Sequence, residues 1–174
     1  AEVVSEAEVV TASATAAADD DDDDLIDDEI IEIFLEEAEE VTETLNEFWP
    51  QLVSDPADKE ALTTVRRAFH TLKGSGRMVR AEFIGELAWS IENMFNRVLD
   101  NTIEIDANLI ALVDHVITQL PLLIDDFRQK RPASIPTQPL MDYATALAAG
   151  DSVAAFSQTL QPQGGEEPLA VADT

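Results

Sequence analysis

The sequence contains no cysteine, so neither a disulfide framework nor a thiolate metal site can form. Basic residues are also scarce, since 10 Lys and Arg stand against 36 Asp and Glu and give a formal net charge of -26. Such a surface repels polyanions, so we expect no nucleic-acid partner. No apolar run approaches the roughly 18 residues that span a bilayer, so we expect no membrane insertion. A chain without cysteine suits the reducing cytoplasm, which is the expected location.

Composition divides the chain into three parts. Residues 1–24 combine small residues and glutamates with six consecutive aspartates, a mixture that predicts a disordered acidic linker. Residues 25–131 carry most of the large apolar side chains, and these recur at helical spacing. Residues 132–174 are rich in Pro, Gly and Ala, so we interpret them as a second linker in which residues 140–160 could form one short helix.

Four amphipathic segments follow one another between residues 25 and 131. Asp55, followed by Pro56, is the expected N-cap of the second helix, and Asp106 that of the fourth. Pro50 is expected to end or kink the first helix, and Pro121 to bend the fourth. Short connections between four such helices favour an all-α, antiparallel up-down four-helix bundle.

His70 lies on the second predicted helix, about 100° or more from the centre of its apolar stripe, and should therefore face solvent. Arg66, Lys73 and Arg77 stand four residues before, three after and seven after it, which places them on the same helix face. Five of the ten basic residues fall between positions 66 and 80. A solvated charged face is the alternative interpretation, but it leaves this local reversal of sign unexplained.

Two glycines follow the histidine inside the same helical pattern. A glycine inside a helix costs up to about 1 kcal/mol relative to alanine, so a compensating role is expected. Gly74 lies four residues after His70, where a missing side chain leaves room for the backbone of another protein. A helix C-cap is the competing explanation, and it is stronger for Gly76 than for Gly74.

The run from His70 to Gly76 resembles the phosphorylation motif of histidine phosphotransfer (HPt) domains, in which lysine follows the histidine at +3 and glycine at +4. Residues 91–94 are similar to the third-helix signature of CheA-like chemosensory kinases, whose glutamate 22 residues after the histidine binds the imidazole; Glu92 stands at that position. The resemblance covers about residues 25–131. Residues 66–99 are especially similar to ChpA or PilL-type kinases, which govern type IV pili.

The resemblance implies a phosphorelay module in which His70 accepts a phosphoryl group at Nε2 and yields it to a receiver aspartate. Lys73 would stabilise the phosphoryl group, Glu92 would orient the imidazole, and Gly74 would permit close approach. The implied partners are the catalytic domain of a histidine kinase and receiver domains, expected in the same parent protein, a sensor kinase. Those partners would supply ATP and Mg²⁺, so we expect no cofactor and no metal in this segment.

Partner docking is assigned to Arg66, Arg77 and Trp89. Trp89 occupies the position where CheA-like domains often carry a second histidine. An exposed aromatic side chain beside the site is a candidate anchor, although packing of Trp89 against the second helix is an equal alternative.

Competing functions require residues that the sequence lacks. A di-iron carboxylate bundle needs Glu-x-x-His pairs, but Arg67 and Leu112 stand three residues before the two histidines. The second histidine, His115, has neither the lysine nor the glycine of the motif and is interpreted as a surface residue. An HPt-shaped module that docks kinase or receiver domains without being phosphorylated remains the open alternative.

Overall fold

The computed structural model describes residues 27–160, and this part of the chain is helical without any strand. The linker expected over residues 1–24 lies outside the described residues. The helices are α1 (Asp28–Ser54), α2 (Lys59–Met78), α3 (Glu82–Leu99), α4 (Ala107–Arg128), α5 (Gln138–Ala148) and α6 (Phe156–Thr159).

The four long helices α1 to α4 form the predicted bundle, which confirms the all-α antiparallel fold. Antiparallel order is visible in cross-helix pairs: Trp49 of α1 donates its indole N–H to Asp114 of α4 at 2.6 Å, while Glu39, further back on α1, meets Arg128 at the far end of α4. One apolar core joins the helices, and its largest fully buried side chains include Phe34, Leu45, Phe69, Leu72, Ile91, Met94, Phe95 and Leu112.

Helix α4 is, among the described helices, the one that is long and apolar enough to cross a bilayer by length and composition. Its apolar stripe packs in the protein interior, because Leu112, Val113 and Val116 are fully buried in the bundle. The helix is therefore a core element of the bundle.

Of the two predicted N-caps, one is confirmed and the other is wrong. Asp106 caps α4 as predicted, since its carboxylate accepts from the Leu109 N–H at 2.9 Å. Asp55 does not cap α2, because its carboxylate binds the Ala57 N–H in the preceding turn. The cap is Asp58, which accepts from Ala61 at 3.0 Å. Helix α1 ends at Ser54, one turn after Pro50, and the buried Leu52 holds that last turn against the core.

The stretch expected to be a linker with a short helix differs from that expectation up to residue 160, because α5 packs against α3 and α4. Leu140, Tyr143, Leu147 and Phe156 are all buried. The connection from α4 is anchored by buried Asp126, which accepts both the N–H and the hydroxyl of Ser134. These two bonds and Arg131 hold the pKa of Asp126 below its ordinary value in spite of burial.

Shortening Leu140 to alanine is expected to cost about 2–4 kcal/mol of unfolding free energy, because a leucine that is 2% exposed leaves a cavity when truncated. Leu160→Ala is the matched control, since that side chain is 46% exposed and its loss should change stability by less than about 0.5 kcal/mol. Urea unfolding measures both variants. Equal midpoints for Leu140→Ala and the wild type would show that α5 is not packed in solution.

Candidate phosphotransfer site

His70 lies on the outer face of α2, as its helical angle predicts. Its side chain is 56% exposed, whereas the neighbouring Phe69 and Leu72 are buried in the core. These two anchors fix the rotation of α2 about its own axis. The imidazole therefore stands at the surface on a rigid element, which is the access that a reacting group needs.

Glu92 of α3 holds the inner nitrogen of that imidazole. His70 Nδ1 lies 2.7 Å from Glu92 Oε1, and Glu92 itself is only 4% exposed. An ionised carboxylate can only accept a hydrogen bond, so Nδ1 must carry the proton. The neutral ring then has its lone pair on Nε2, the nitrogen on the solvent side.

Two cations flank the buried carboxylate. Lys73 Nζ lies 2.7 Å from Glu92 Oε2, an ion pair without the direction of a good hydrogen bond. On the other side, Arg66 Nη2 lies 3.8 Å from Glu92 Oε1, and Arg66 Nε donates to Asn96 Oδ1 at 2.6 Å. The cluster therefore joins α2 and α3 through one carboxylate. Asn96 is a member that sequence reasoning missed; its only signal is its position one turn after Glu92.

The charge state of Glu92 follows from these contacts. Burial alone would raise its pKa, but the contacts with Lys73 and His70 outweigh burial and hold the pKa of Glu92 below its ordinary value. A carboxyl whose pKa is lower in the folded chain than in the unfolded chain stabilises the fold at any pH above its unfolded-state pKa. This contribution is lost as the pH falls through the folded-state pKa. The carboxylate is therefore ionised throughout the neutral range.

Carbon-13 NMR of the side-chain carboxyls is expected to show that the pKa of Glu92 is lower than the ordinary value of a glutamate. In Lys73→Ala the midpoint should rise, because the cation with the largest favourable effect is removed and burial then dominates. Circular dichroism of Lys73→Ala should match that of the wild type. A Glu92 midpoint above the ordinary value of a glutamate in the wild type would mean that the carboxylate does not hold both contacts.

The two glycines have different surroundings. A Cβ at Gly74 would meet nothing within 4 Å, so nothing inside the described chain requires glycine there. A Cβ at Gly76 would come within 3.3 Å of the backbone of Gly85, so Gly76 permits α2 and α3 to approach closely. Gly76 does not end α2 as a C-cap, because the helix continues to Met78. The left-handed position after the helix is occupied by Arg80, with φ 59°.

Arg77 and Trp89, two residues predicted for docking, line one surface groove of about 400 Å³ between α3 and α5. Trp89 is 47% exposed, and Arg77 is exposed as well. The third such residue, Arg66, is directed inward to Asn96 and Glu92 as described above. The basic residues around His70 therefore lie in two places. Arg66 and Lys73 contact Glu92, whereas Arg77 lines the groove further along α2.

His115 stands apart from the site on α4 and is half-buried, not fully at the surface as expected. Its ring lies 5.7 Å from that of Phe156, whose segment was expected to belong to a linker. Burial lowers the pKa of His115. Within residues 27–160, no group of three or more His, Asp or Glu side chains is arranged to hold a metal ion.

Comparison with known proteins finds similarity over the four-helix part of this chain. A model of the Hpt domain family matches residues 29–130. The sensor histidine kinase CheAY of Helicobacter pylori is 31% identical over 100 residues, covering 58% of this chain and 12% of that protein. The chemotaxis protein CheA of Bacillus subtilis is 27% identical over 111 residues, covering 62% of this chain and 16% of that protein. The chain thus spans less than a fifth of the length of these curated relatives.

A solved structure shares the fold. It is the phosphorylated P1 domain of CheA3 in complex with CheY6 from R. sphaeroides, with a TM-score of 0.63 and 18% identity over 72% of this chain and 100% of that chain. The family model covers more than half of the sequence and includes every residue of the cluster around His70. The protein accordingly belongs to the Hpt domain family, the histidine phosphotransfer domains.

Proposed function

We propose that His70 is the phosphoryl-accepting residue of this histidine phosphotransfer domain, taking the group from a histidine kinase or a phosphorylated receiver and passing it to a receiver aspartate. The observation that carries the proposal is the state of the imidazole: Nδ1 is held at 2.7 Å by a buried, ionised carboxylate, and the other nitrogen is left to solvent. An exposed nucleophile whose second nitrogen is fixed by a neighbour has the arrangement that covalent catalysis uses.

Neither transfer step requires a proton to leave Nε2, because that nitrogen reacts through its lone pair. The Nε2 lone pair attacks the γ-phosphorus of ATP held by the kinase domain, the N–P bond forms, and the bond to ADP breaks. The ring then carries positive charge, which the Glu92 carboxylate stabilises through Nδ1–H. A receiver carboxylate next attacks the phosphorus, the N–P bond breaks, and the electron pair returns to Nε2. Glu92 thus stabilises the phosphorylated ring that links the two transfer steps.

Lys73 supports the same chemistry from its place beside Glu92. The Lys73 side chain is 20% exposed, and it lies one turn after His70 on the same face of α2. In the free domain it neutralises Glu92, and we propose that it also stabilises the phosphoryl group after transfer. Phosphohistidine in Lys73→Ala should therefore form more slowly or hydrolyse faster.

The face between α1 and α2 beside Gly74 is the candidate docking surface for a receiver. Ser75 of α2 donates to Glu37 of α1 at 3.0 Å, so the helix faces beside that bond are neighbours. These faces present exposed Ile33 and Met78, and Gly74 lies on α2 one turn from His70 and one turn from Met78. Exposed apolar side chains beside a point of close approach are typical of the apolar centre of a docking surface.

Gly74→Ala is expected to separate stability from function. Its Cβ meets nothing within 4 Å, so the helix should gain up to about 1 kcal/mol of stability, measured by urea unfolding. Phosphoryl transfer to the receiver should nevertheless slow several-fold, because the added methyl group stands where the partner backbone approaches. A stabilised variant with unchanged transfer would remove Gly74 from the docking surface.

The parent protein and its location belong to the same proposal. The curated relatives are CheA kinases of far greater length, which supports a parent sensor kinase that supplies kinase and receiver partners in the same polypeptide. A relay of this kind operates in the cytoplasm. The resemblance to ChpA or PilL-type kinases supports control of type IV pili as the output.

The direct test incubates the domain with its kinase and labelled ATP, then adds a receiver. We expect an acid-labile, base-stable label on the domain that moves to the receiver. The alternative, a docking module without phosphorylation, predicts binding without any label. Phosphoramidate is a small donor that needs no docking. If the domain acquires a phosphoryl group neither from the kinase nor from phosphoramidate, the proposal is overturned in favour of the docking module.

A further inference from the structure

Asn96 connects two elements of the site that would otherwise be independent. It lies on α3 one turn after Glu92, and its carbonyl oxygen accepts from Arg66 Nε at 2.6 Å. Arg66 lies on α2 one turn before His70, and its long side chain has many rotamers in solution. The bond to Asn96 removes most of that freedom.

The guanidinium held by Asn96 also lies beside one oxygen of Glu92. Arg66 Nη2 lies 3.8 Å from Oε1, the same oxygen that binds His70 Nδ1 at 2.7 Å. Lys73 attracts the other oxygen, Oε2, at 2.7 Å. A carboxylate with one cation on each oxygen loses one of these ion pairs if it turns to present both oxygens to a single cation. Its orientation toward the imidazole is therefore set from two sides.

Release of Arg66 would leave Lys73 as the only close cation on Glu92. The carboxylate could then rotate toward Lys73 and loosen its hold on Nδ1. A loosely held imidazole also populates the tautomer with the proton on Nε2, and that tautomer has no lone pair to offer at the reacting nitrogen.

We propose that Asn96 is a positioning residue for phosphotransfer, acting through Arg66 to fix the Glu92 carboxylate against His70. This inference deepens the proposed function and rests on it. Arg66 is thereby assigned to the interior of the site and not to partner docking.

The experiment is a double-mutant cycle with phosphoramidate as the phosphoryl donor, which isolates the chemical step from docking. Asn96→Ala is expected to lower the phosphorylation rate about threefold to tenfold. In an Arg66→Met background, which keeps the alkyl stem and removes the guanidinium, the same substitution should have no further effect. Asn93→Ala is the matched control, an asparagine on the same helix with no side-chain hydrogen bond among the contacts observed in residues 27–160.

A second readout separates positioning from a merely structural role. Nitrogen-15 NMR of the unphosphorylated domain should show more of the Nε2–H tautomer of His70 in Asn96→Ala than in the wild type or in Asn93→Ala. A rate and a tautomer ratio equal to those of the wild type would overturn the inference, and so would an equal loss in both backgrounds of the cycle. If the wild type itself takes no phosphoryl group from phosphoramidate or kinase, the proposed function fails first.

Discussion

His70→Gln is expected to lose all acid-labile phosphorylation, because an amide nitrogen has no lone pair able to attack phosphorus. The fold should persist, since the glutamine amide can still donate to Glu92 and the carboxylate keeps Lys73 and Arg66 as counter-ions. Circular dichroism and urea unfolding check the fold, and labelled ATP with the kinase checks the chemistry.

His115→Gln is the matched control for that experiment. His115 is the only other histidine of the chain, and it is half-buried beside Phe156. Its replacement should leave the label unchanged. If the label survives in His70→Gln and disappears in His115→Gln, the phosphoryl-accepting residue is His115 on α4 and not His70.

Glu92→Gln is expected to slow phosphorylation of His70 by about 10- to 100-fold, the usual effect of removing a group that orients a reactive histidine. Glutamine retains an oxygen for Nδ1–H but no charge, so it cannot stabilise the positive ring that forms during transfer. Lys73 also loses its close counter-ion. The single-turnover rate with phosphoramidate measures this effect without docking.

Glu82→Gln is the control for the loss of charge, because Glu82 lies exposed in the first turn of the same helix. It should phosphorylate at the wild-type rate. A Glu92→Gln rate within twofold of the wild type would show that the carboxylate serves the packing of α2 on α3 and not the imidazole.

Much of the bundle could be predicted from the sequence because its helices are strongly amphipathic. The stripe that includes Val65, Phe69 and Leu72 set the rotation of α2 and placed His70 outside, since helix geometry leaves little choice once the buried face is known. The partnership of Glu92 with His70 came instead from family resemblance, because residues 22 positions apart have no helical register in common.

The contacts missed from sequence depend on side-chain conformations across helices. The bond from Arg66 to Asn96 requires two flexible side chains on different helices to meet, and neither residue type predicts the other. The end of α2 was also ambiguous, because Arg80 occupies a left-handed position where glycine is the usual signal.

Helix α5 was underestimated for a different reason. Its sequence is short and rich in alanine, so a pattern based on large apolar residues is weak there. Leu140, Tyr143 and Leu147 nevertheless share one face, and Tyr143 also donates its hydroxyl to the Ala154 carbonyl at 2.7 Å. The packing of these side chains on α3 and α4 stabilises a helix whose propensity alone gave little indication of it.

The most direct test of the central claim is long-range ¹H–¹⁵N NMR of the domain after treatment with phosphoramidate. We predict that phosphorus couples to Nε2 of His70 while Nδ1 keeps its proton and its bond to Glu92. Phosphorus on Nδ1, or on any residue other than His70, would contradict the assignment of the solvent-facing nitrogen as the nucleophile.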